Sequence, residues 1–487
     1  MTRLSEATVQ PAAATLPAYD RAAVRIGVVH LGIGAFHRAH QAVVFDDALA
    51  SGDLRWGVLG ASLRSPGVRD LLAPQDGLYS LLVRDGAEET VRVIGAVRGV
   101  VVAAEDPAAL VEAMASPEVH IVTLTVTEKG YRLHPATGAL LETDPEVVAD
   151  LADLAKPRTA PGFLVAALQA RRARGLQPFT VVSCDNIPHN GRRVRAAVLT
   201  MAARIDAGLH DWIAAEGAFP QTMVDRIVPA TTAADIDALE ARTGYRDEGM
   251  VKTEPFTQWV VEDDFAGPRP AFEMLGVRMT AAVEPWEEAK LRLLNGAHST
   301  IAYLGGRAGD EFVHQAVAVP ALRALVERLW GEAKTTLTPP PGLDLARYRA
   351  ELMARFSNPA LEHRTQQIAM DGSQKLPQRL LASCGARLSQ GRGIAALALG
   401  VAGWMRWQSG VTEAGEAFAV DDPLAAQIRA LIDGADGDAA TVGALLTLDA
   451  IFPAALAADV RFRTAVTEAY GRLGRIGAVA AAEGIVA

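Results

Sequence analysis

The chain has 487 residues, half of them hydrophobic and 21% charged, with a net charge of −10. That length exceeds what one hydrophobic core organises and implies two large domains. An acidic balance without a basic tail argues against nucleic acid or an anionic membrane as partner, although an anionic small molecule can still meet a locally basic pocket.

Only two cysteines occur, Cys184 and Cys384. They supply neither a disulfide framework nor the closely spaced ligand pairs of a zinc site, so the cytosol is the expected compartment. The stretch Met1 to Ala22 is Ala-rich, contains Glu6 and does not read as a signal peptide. The longest apolar run, Ile394 to Met405, is too short to span a membrane and reads as a buried helix.

In chain order, Arg25 to Leu31 is a Val/Ile-rich strand ending on Gly32, Ala39 to Leu49 a helix and Arg55 to Leu63 a second strand. Val91 to Val102 is β-rich, and Asp106 is placed to cap a helix running to Met114. His120 to Val126 is a β-branched run suited to a strand buried on both faces. Gly162 to Ala173 reads as helix and Phe179 to Cys184 as strand. This alternation predicts an α/β fold with a parallel sheet wound by helices. From Pro285 the pattern becomes Ala/Leu/Arg-rich and helical, with breaks at Thr338 to Gly342 and Asp433 to Asp438. The expectation is a Rossmann-like dinucleotide-binding domain over 1–285 and a mostly α-helical substrate and catalytic domain over 286–487. The active site is expected where two such domains meet.

The first strand runs into Gly32-Ile33-Gly34-Ala35-Phe36-His37. Glycines there let the backbone turn tightly and approach a pyrophosphate. His37 stands where the third glycine of the usual fingerprint belongs, so the motif is incomplete and a plain strand–helix turn remains an alternative. The second strand ends in Ser62-Leu63-Arg64 without the acid that selects a free ribose diol. Arg64 accommodates a 2′-phosphate, stacks on adenine or faces water, and these residues do not choose between NAD and NADP.

The segment from Glu284 to Thr300 carries Glu287, Lys290, Asn295 and His298. On an α-helix Asn295 lies about 140° from Lys290 and His298 about 80° from it, so all three edge one side with Leu291 and Leu294. Alcohol oxidation by hydride transfer needs a base for the hydroxyl proton. A lysine desolvated among leucines holds its proton loosely enough to serve. Asn295 can donate to a developing alkoxide, and His298 can hold the substrate hydroxyl or orient the lysine. The bland alternative is an amphipathic helix with Lys290 reaching to water and His298 satisfied in the core.

A second segment, Asp185 to Gly191, follows the strand Phe179 to Cys184, at the strand end where open α/β sheets bind ligands. Asn186 can add a second amide donor; equally, Asp185, Asn186 and Asn190 suit loops and caps. Thr125 to Tyr131 closes another strand and is placed to flank a nicotinamide, and Gln221 to Arg226 precedes a further short strand.

Across these segments the chain resembles the polyol-specific long-chain dehydrogenase family, also called the mannitol dehydrogenase family. The resemblance rests on VHLGIGAFHRAHQ from Val29, TVTEKGY from Thr125, SCDNIPHNG from Ser183, FPQTMVDRIVPATT from Phe219, EPFTQWVVED from Glu254 and KLRLLNGAHS from Lys290. It implies a Rossmann-type domain, a helical C-terminal domain, a nicotinamide cofactor and no metal. It places the catalytic lysine role on Lys290, oxyanion binding on Asn186 and Asn295, and substrate positioning on His298. It also implies that Glu287 and Glu128 relay protons, and that Gly32, Gly34, Ala35 and Phe36 receive the cofactor, expected to be NAD.

Arg364 to Arg379 is similar to the fructuronate reductase (D-mannonate oxidoreductase) branch, as is Leu397 to Arg406; Gln367 stands where mannitol dehydrogenases carry arginine. A sugar acid needs a cation for its carboxylate, and Arg364, Lys375 and Arg379 are the candidates. Solvated helix-face charges are their ordinary alternative. The expected partner is therefore a small sugar acid or polyol, and the leading expectation is NAD-dependent interconversion of D-mannonate and D-fructuronate. A neutral-polyol dehydrogenase acting on mannitol or D-arabinitol, a non-catalytic nucleotide-sensing protein and an NAD-dependent glycosidase are the rivals.

Overall fold

The computed structural model describes residues 2–9, 14–134 and 137–486, so the stretch Met1 to Ala22 lies partly outside it. The chain divides into two compact units, Met1–Glu284 and Pro285–Ala487. All eleven strands assigned among the described residues belong to the first unit. They are β1 (Ile26–Leu31), β2 (Gly57–Ser62), β3 (Tyr79–Asp85), β4 (Glu88–Ile94), β5 (Val97–Val102), β6 (Ile121–Leu124), β7 (Thr180–Ser183), β8 (Thr222–Asp225), β9 (Val251–Thr253), β10 (Gln258–Glu262) and β11 (Arg278–Thr280).

The largest sheet has the order β5-β2-β1-β6-β7, and every neighbouring pair is parallel. Helices cover such a sheet on both faces, which is why β6 and β7 are buried at every residue and lack alternation. The strand order reverses between β1 and β6. In open α/β sheets the crevice outside the carboxyl ends of such a pair receives the ligand. Here those ends are Gly32 and Thr125, and Thr125 N–H donates to Leu31 O at 2.9 Å. After β1 the chain forms α1 (Ala35–Ala39) and α2 (Gln41–Ala50), broken at His40 with φ −126° and ψ −86°.

Two smaller sheets have the orders β4-β3-β9 and β11-β10-β8. The β-rich stretch Val91 to Val102 is thus not one element. It splits at Gly95 into β4 and β5, which belong to different sheets. A Cβ on Gly95 would meet Pro17 Cγ at 2.7 Å, and Gly95 N–H donates to Asp46 rather than to a ladder. Likewise Gln221 to Arg226 does not precede a strand but contains β8.

The second unit is helical. Helix Ala395–Trp407 is buried along nearly its whole length and lies against Gly296–Ala308. Gly400 and Gly403 permit the approach: a Cβ at each would meet Thr300 Oγ1 at 2.6 Å and Leu304 Cδ2 at 2.8 Å. Trp330, Trp404 and Tyr303 are fully buried in this core, where each large apolar side chain is worth about 1.5–3 kcal/mol. Among the described residues no helix is long and apolar enough to cross a membrane.

Candidate active site

In the first unit the glycine turn takes the form its composition demands. Gly32 has φ +92°, and a Cβ there would lie 2.2 Å from Thr125 O, so only glycine fits. Gly34 is exposed, and a Cβ on it would find only Gly32 O within 4 Å, at 3.8 Å. Its open side is room for a ligand rather than for the chain, which fits a nucleotide pyrophosphate laid against the turn. Ala35 and Phe36 follow, half-buried, in α1. Arg64 is exposed and stands 3.7 Å from Glu146, a surface ion pair.

At the carboxyl edge of β6 and β7, Asp185 ties two sequence-predicted segments together. Its carboxylate accepts from Val126 N–H and Thr127 N–H, each at 3.0 Å, and from Tyr131 O–H at 2.6 Å. Burial, against these hydrogen bonds and with a push from Glu128, raises the carboxyl to about 6. Thr127 is held at φ +64°, and the exposed Glu128 follows it. Asn186, next to Asp185, is also exposed. Asn190 is structural: its amide nitrogen donates to Asp185 O and Thr222 O at 3.1 and 3.0 Å, joining β7 to β8.

In the second unit, Glu287 is half-buried in helix Glu284–Ala289, and Lys290 is buried with 6% of its surface exposed. The helix then changes type: Lys290–Asn295 is a π-helix, with Gly296 N–H donating back to Leu291 O. The α-helical spacing expected from sequence is therefore wrong for this pair. An i→i+5 turn brings Asn295 to about 50° from Lys290 instead of about 140°. Such a turn leaves backbone oxygens for other donors, and Trp330 Nε1–H donates to Leu293 O at 2.8 Å. A second π-turn, Pro377–Leu381, packs on the first. Gly296 makes the contact: a Cβ there would lie 2.8 Å from Arg379 O.

His298 is buried, stacks on Phe356 at 5.1 Å and meets His363 edge-on at 4.7 Å. Its Nε2 has no hydrogen-bond partner among the described residues. Burial first, then His363, Arg379, Arg355 and Lys375, push the imidazole well below its ordinary range, so it is neutral. Arg379 Nη1 donates to Ser299 Oγ at 2.9 Å, and Lys375 Nζ to Met370 O at 2.5 Å. Arg364 behaves differently: it is exposed, pairs with Glu311 and lies over the Phe312 ring. The second unit therefore gathers His298, Lys375 and Arg379 but not Arg364. It adds Arg355 and His363, which local spacing does not reveal because they lie 57 and 65 positions beyond His298.

The mannitol dehydrogenase Rossmann domain matches residues 26–274 and the mannitol dehydrogenase C-terminal domain residues 282–474. An uncharacterised oxidoreductase of Escherichia coli, YeiQ, is 46% identical over 95% of both chains. The D-mannonate oxidoreductase of the same organism is 44% identical over 95% of this chain and 96% of its own. Among solved structures, Pseudomonas fluorescens mannitol 2-dehydrogenase in ternary complex with NAD and D-mannitol superposes with a TM-score of 0.90 at 38% identity, over 100% of this chain and 99% of the other. With a Rossmann sheet, a helical second unit and both family domains matched, the chain belongs to the mannitol dehydrogenase family of oxidoreductases.

Proposed function

We propose that this protein catalyses reversible hydride transfer between NAD and a sugar acid, interconverting D-mannonate and D-fructuronate. The observation that carries the choice of substrate is the setting of His298, a buried imidazole whose neighbour Ser299 accepts a hydrogen bond from Arg379 Nη1 at 2.9 Å. A carboxylate-bearing substrate accepts forked hydrogen bonds from arginine, whereas mannitol offers no charge. The similarity to D-mannonate oxidoreductase supports the same choice. The NAD complex of the Pseudomonas fluorescens relative supports the cofactor.

The bound nicotinamide supplies or accepts the hydride. In reduction Lys290 gives its proton to the forming alkoxide; in oxidation it takes the hydroxyl proton. Asn186 and Asn295 are the amide donors to that oxygen. His298, with Nε2 unpartnered among the described residues, positions a substrate hydroxyl. Glu287 and Glu128 pass protons between Lys290 and water. The Gly32–Phe36 turn receives the cofactor, Arg64 lies towards its adenosine end, and Lys375 and Arg379 hold the carboxylate. Arg364, engaged with Glu311, is left out of that role.

The test is kcat/KM for D-mannonate, D-mannitol and D-arabinitol, each with NAD and NADP. A charged pair worth about 2–3 kcal/mol gives mannonate an advantage of about 30- to 150-fold. Preference for mannitol or arabinitol replaces this reading with the neutral-polyol one. No turnover on any substrate leaves a nucleotide-sensing protein.

A further inference from the structure

The dinucleotide fingerprint of this chain lacks its third glycine, whose usual service is to let the first helix lie close against the first strand. His37 occupies that position. Its ring lies flat on the ring of His30 in β1, with centroids 3.4 Å apart and planes 11° from parallel. Both side chains are fully buried. The separation is one aromatic thickness, so the strand and helix remain close with a bulky residue in place.

His30 is held at both ring nitrogens: Nε2 lies 2.9 Å from Thr125 Oγ1 and 3.1 Å from Gly32 O, and Nδ1 lies 2.7 Å from Thr123 Oγ1. Thr125 O–H donates to Gly32 O at 2.8 Å, as does Gly34 N–H at 2.6 Å, so the first glycine's carbonyl is pinned from three sides. Gly34 O is held by Arg38, through its backbone N–H at 3.3 Å and Nε at 3.4 Å. On the other side His37 Nδ1 lies 3.3 Å from Gln41 Oε1. Gln41 Nε2 donates to His40 Nδ1 at 3.0 Å, and His40 Nε2 to Gln258 O at 2.9 Å. Each of these links can be made with all three imidazoles neutral. Burial holds His30 down at about 3, and burial with His30, His40 and Arg38 nearby holds His37 well below its ordinary value.

We propose that the His30–His37 ring stack replaces the third glycine and locks the Gly32–Gly34 turn in its cofactor-receiving shape, making His37 a positioning residue for the nicotinamide nucleotide. The proposal rests on the cofactor reading above. It concerns how the turn is held, not contact with the substrate.

The experiment is fluorescence titration of NADH into wild type, His37→Phe, His37→Ala and Gln41→Leu, with kcat at saturating cofactor and cofactor-free thermal unfolding alongside. His37→Phe keeps a flat ring and should hold the NADH Kd within about threefold. Gln41→Leu cuts the hydrogen-bond chain but keeps the stack, and should do the same. His37→Ala removes the ring and should weaken NADH binding about tenfold or more while leaving kcat within about threefold, the signature of lost preorganisation. Wild-type affinity in a folded His37→Ala protein overturns the proposal. So does a tenfold loss in Gln41→Leu or in a folded His37→Phe, which would move the work from stacking to hydrogen bonding. If His37→Ala does not fold, the other two variants still decide. Absence of NADH binding by wild type defeats the cofactor reading itself, a distinguishable result.

Discussion

Gly296 and the backbone carbonyl of Arg379 approach so closely that a methyl group on the glycine would sit 2.8 Å from that oxygen. Each belongs to the neighbourhood of a π-turn: Lys290–Asn295 ends at Gly296, and Pro377–Leu381 contains Arg379. The bare α-carbon therefore sets how near the turn bearing Lys290 and Asn295 lies to the one bearing Arg379. Gly296→Ala must push backbone from backbone. Overpacking of this kind costs about 1–3 kcal/mol, and displacement of the proposed catalytic groups should lower kcat at least about tenfold. NADH affinity should not change, because the turn proposed to receive the cofactor lies in the other unit. Thermal unfolding, kcat and NADH titration read the three effects, and an unchanged kcat would refute the expectation.

Lys290→Ala should reduce kcat by about 10³-fold or more, within the range of a lost general acid–base. Cofactor affinity should stay within about twofold. Stopped-flow measurement of NADH oxidation with fructuronate, beside equilibrium NADH binding, separates the two. Turnover close to wild type would remove Lys290 from the chemistry.

Arg379→Gln should lower kcat/KM for mannonate by about 10- to 100-fold, the worth of a hydrogen bond to a charged group. It should alter kcat/KM for mannitol far less. Arg364→Gln should change neither by more than about twofold, because an exposed ion pair such as Arg364–Glu311 contributes little. Equal losses on both substrates with Arg379→Gln would mark that arginine as structural.

Two groups in the first unit make opposite contributions to stability as pH changes. His30 is held at about 3, below its unfolded value, so the unfolded chain binds more protons in between. Its stabilisation is present above pH 6.5 and is lost as pH falls, about 3 kcal/mol by pH 4. Asp185 is raised to about 6, so here the folded chain binds more protons. Its contribution declines as pH rises from about 4 to 6, by about 2 kcal/mol. The slopes oppose one another over that interval. Asp185→Asn should therefore make stability rise more steeply with pH between 4 and 6 than in wild type, as read from urea unfolding at each pH. Parallel curves for the two proteins would show that Asp185 does not titrate there.

Local order was legible where one residue type has one structural use. Asp106 caps its helix, accepting from Ala109 N–H at 2.9 Å. The β-branched runs became β1, β6 and β7, and the apolar stretch near Ile394 became the buried helix Ala395–Trp407. Asp85-Gly86, a hairpin signal by composition, marks the turn joining β3 to β4 and could have been read. Pairing of β3 with β9 could not, because it joins residues about 170 positions apart through backbone hydrogen bonds that no side-chain pattern records.

The sequence by itself determined the family, the Rossmann and helical halves, and the residue types at Lys290, Asn295, His298 and the glycine turn. It did so because strand burial, glycine turns and proton chemistry each demand particular side chains at short spacing. Tertiary structure alone decided the rest. A one-residue slip in helical hydrogen bonding, invisible in composition, turned Asn295 towards the lysine's side. Chain folding over long separations brought Arg355, His363, Lys375 and Arg379 to bear on His298 while leaving Arg364 at the surface, because charge placement in space follows packing and not position along the chain.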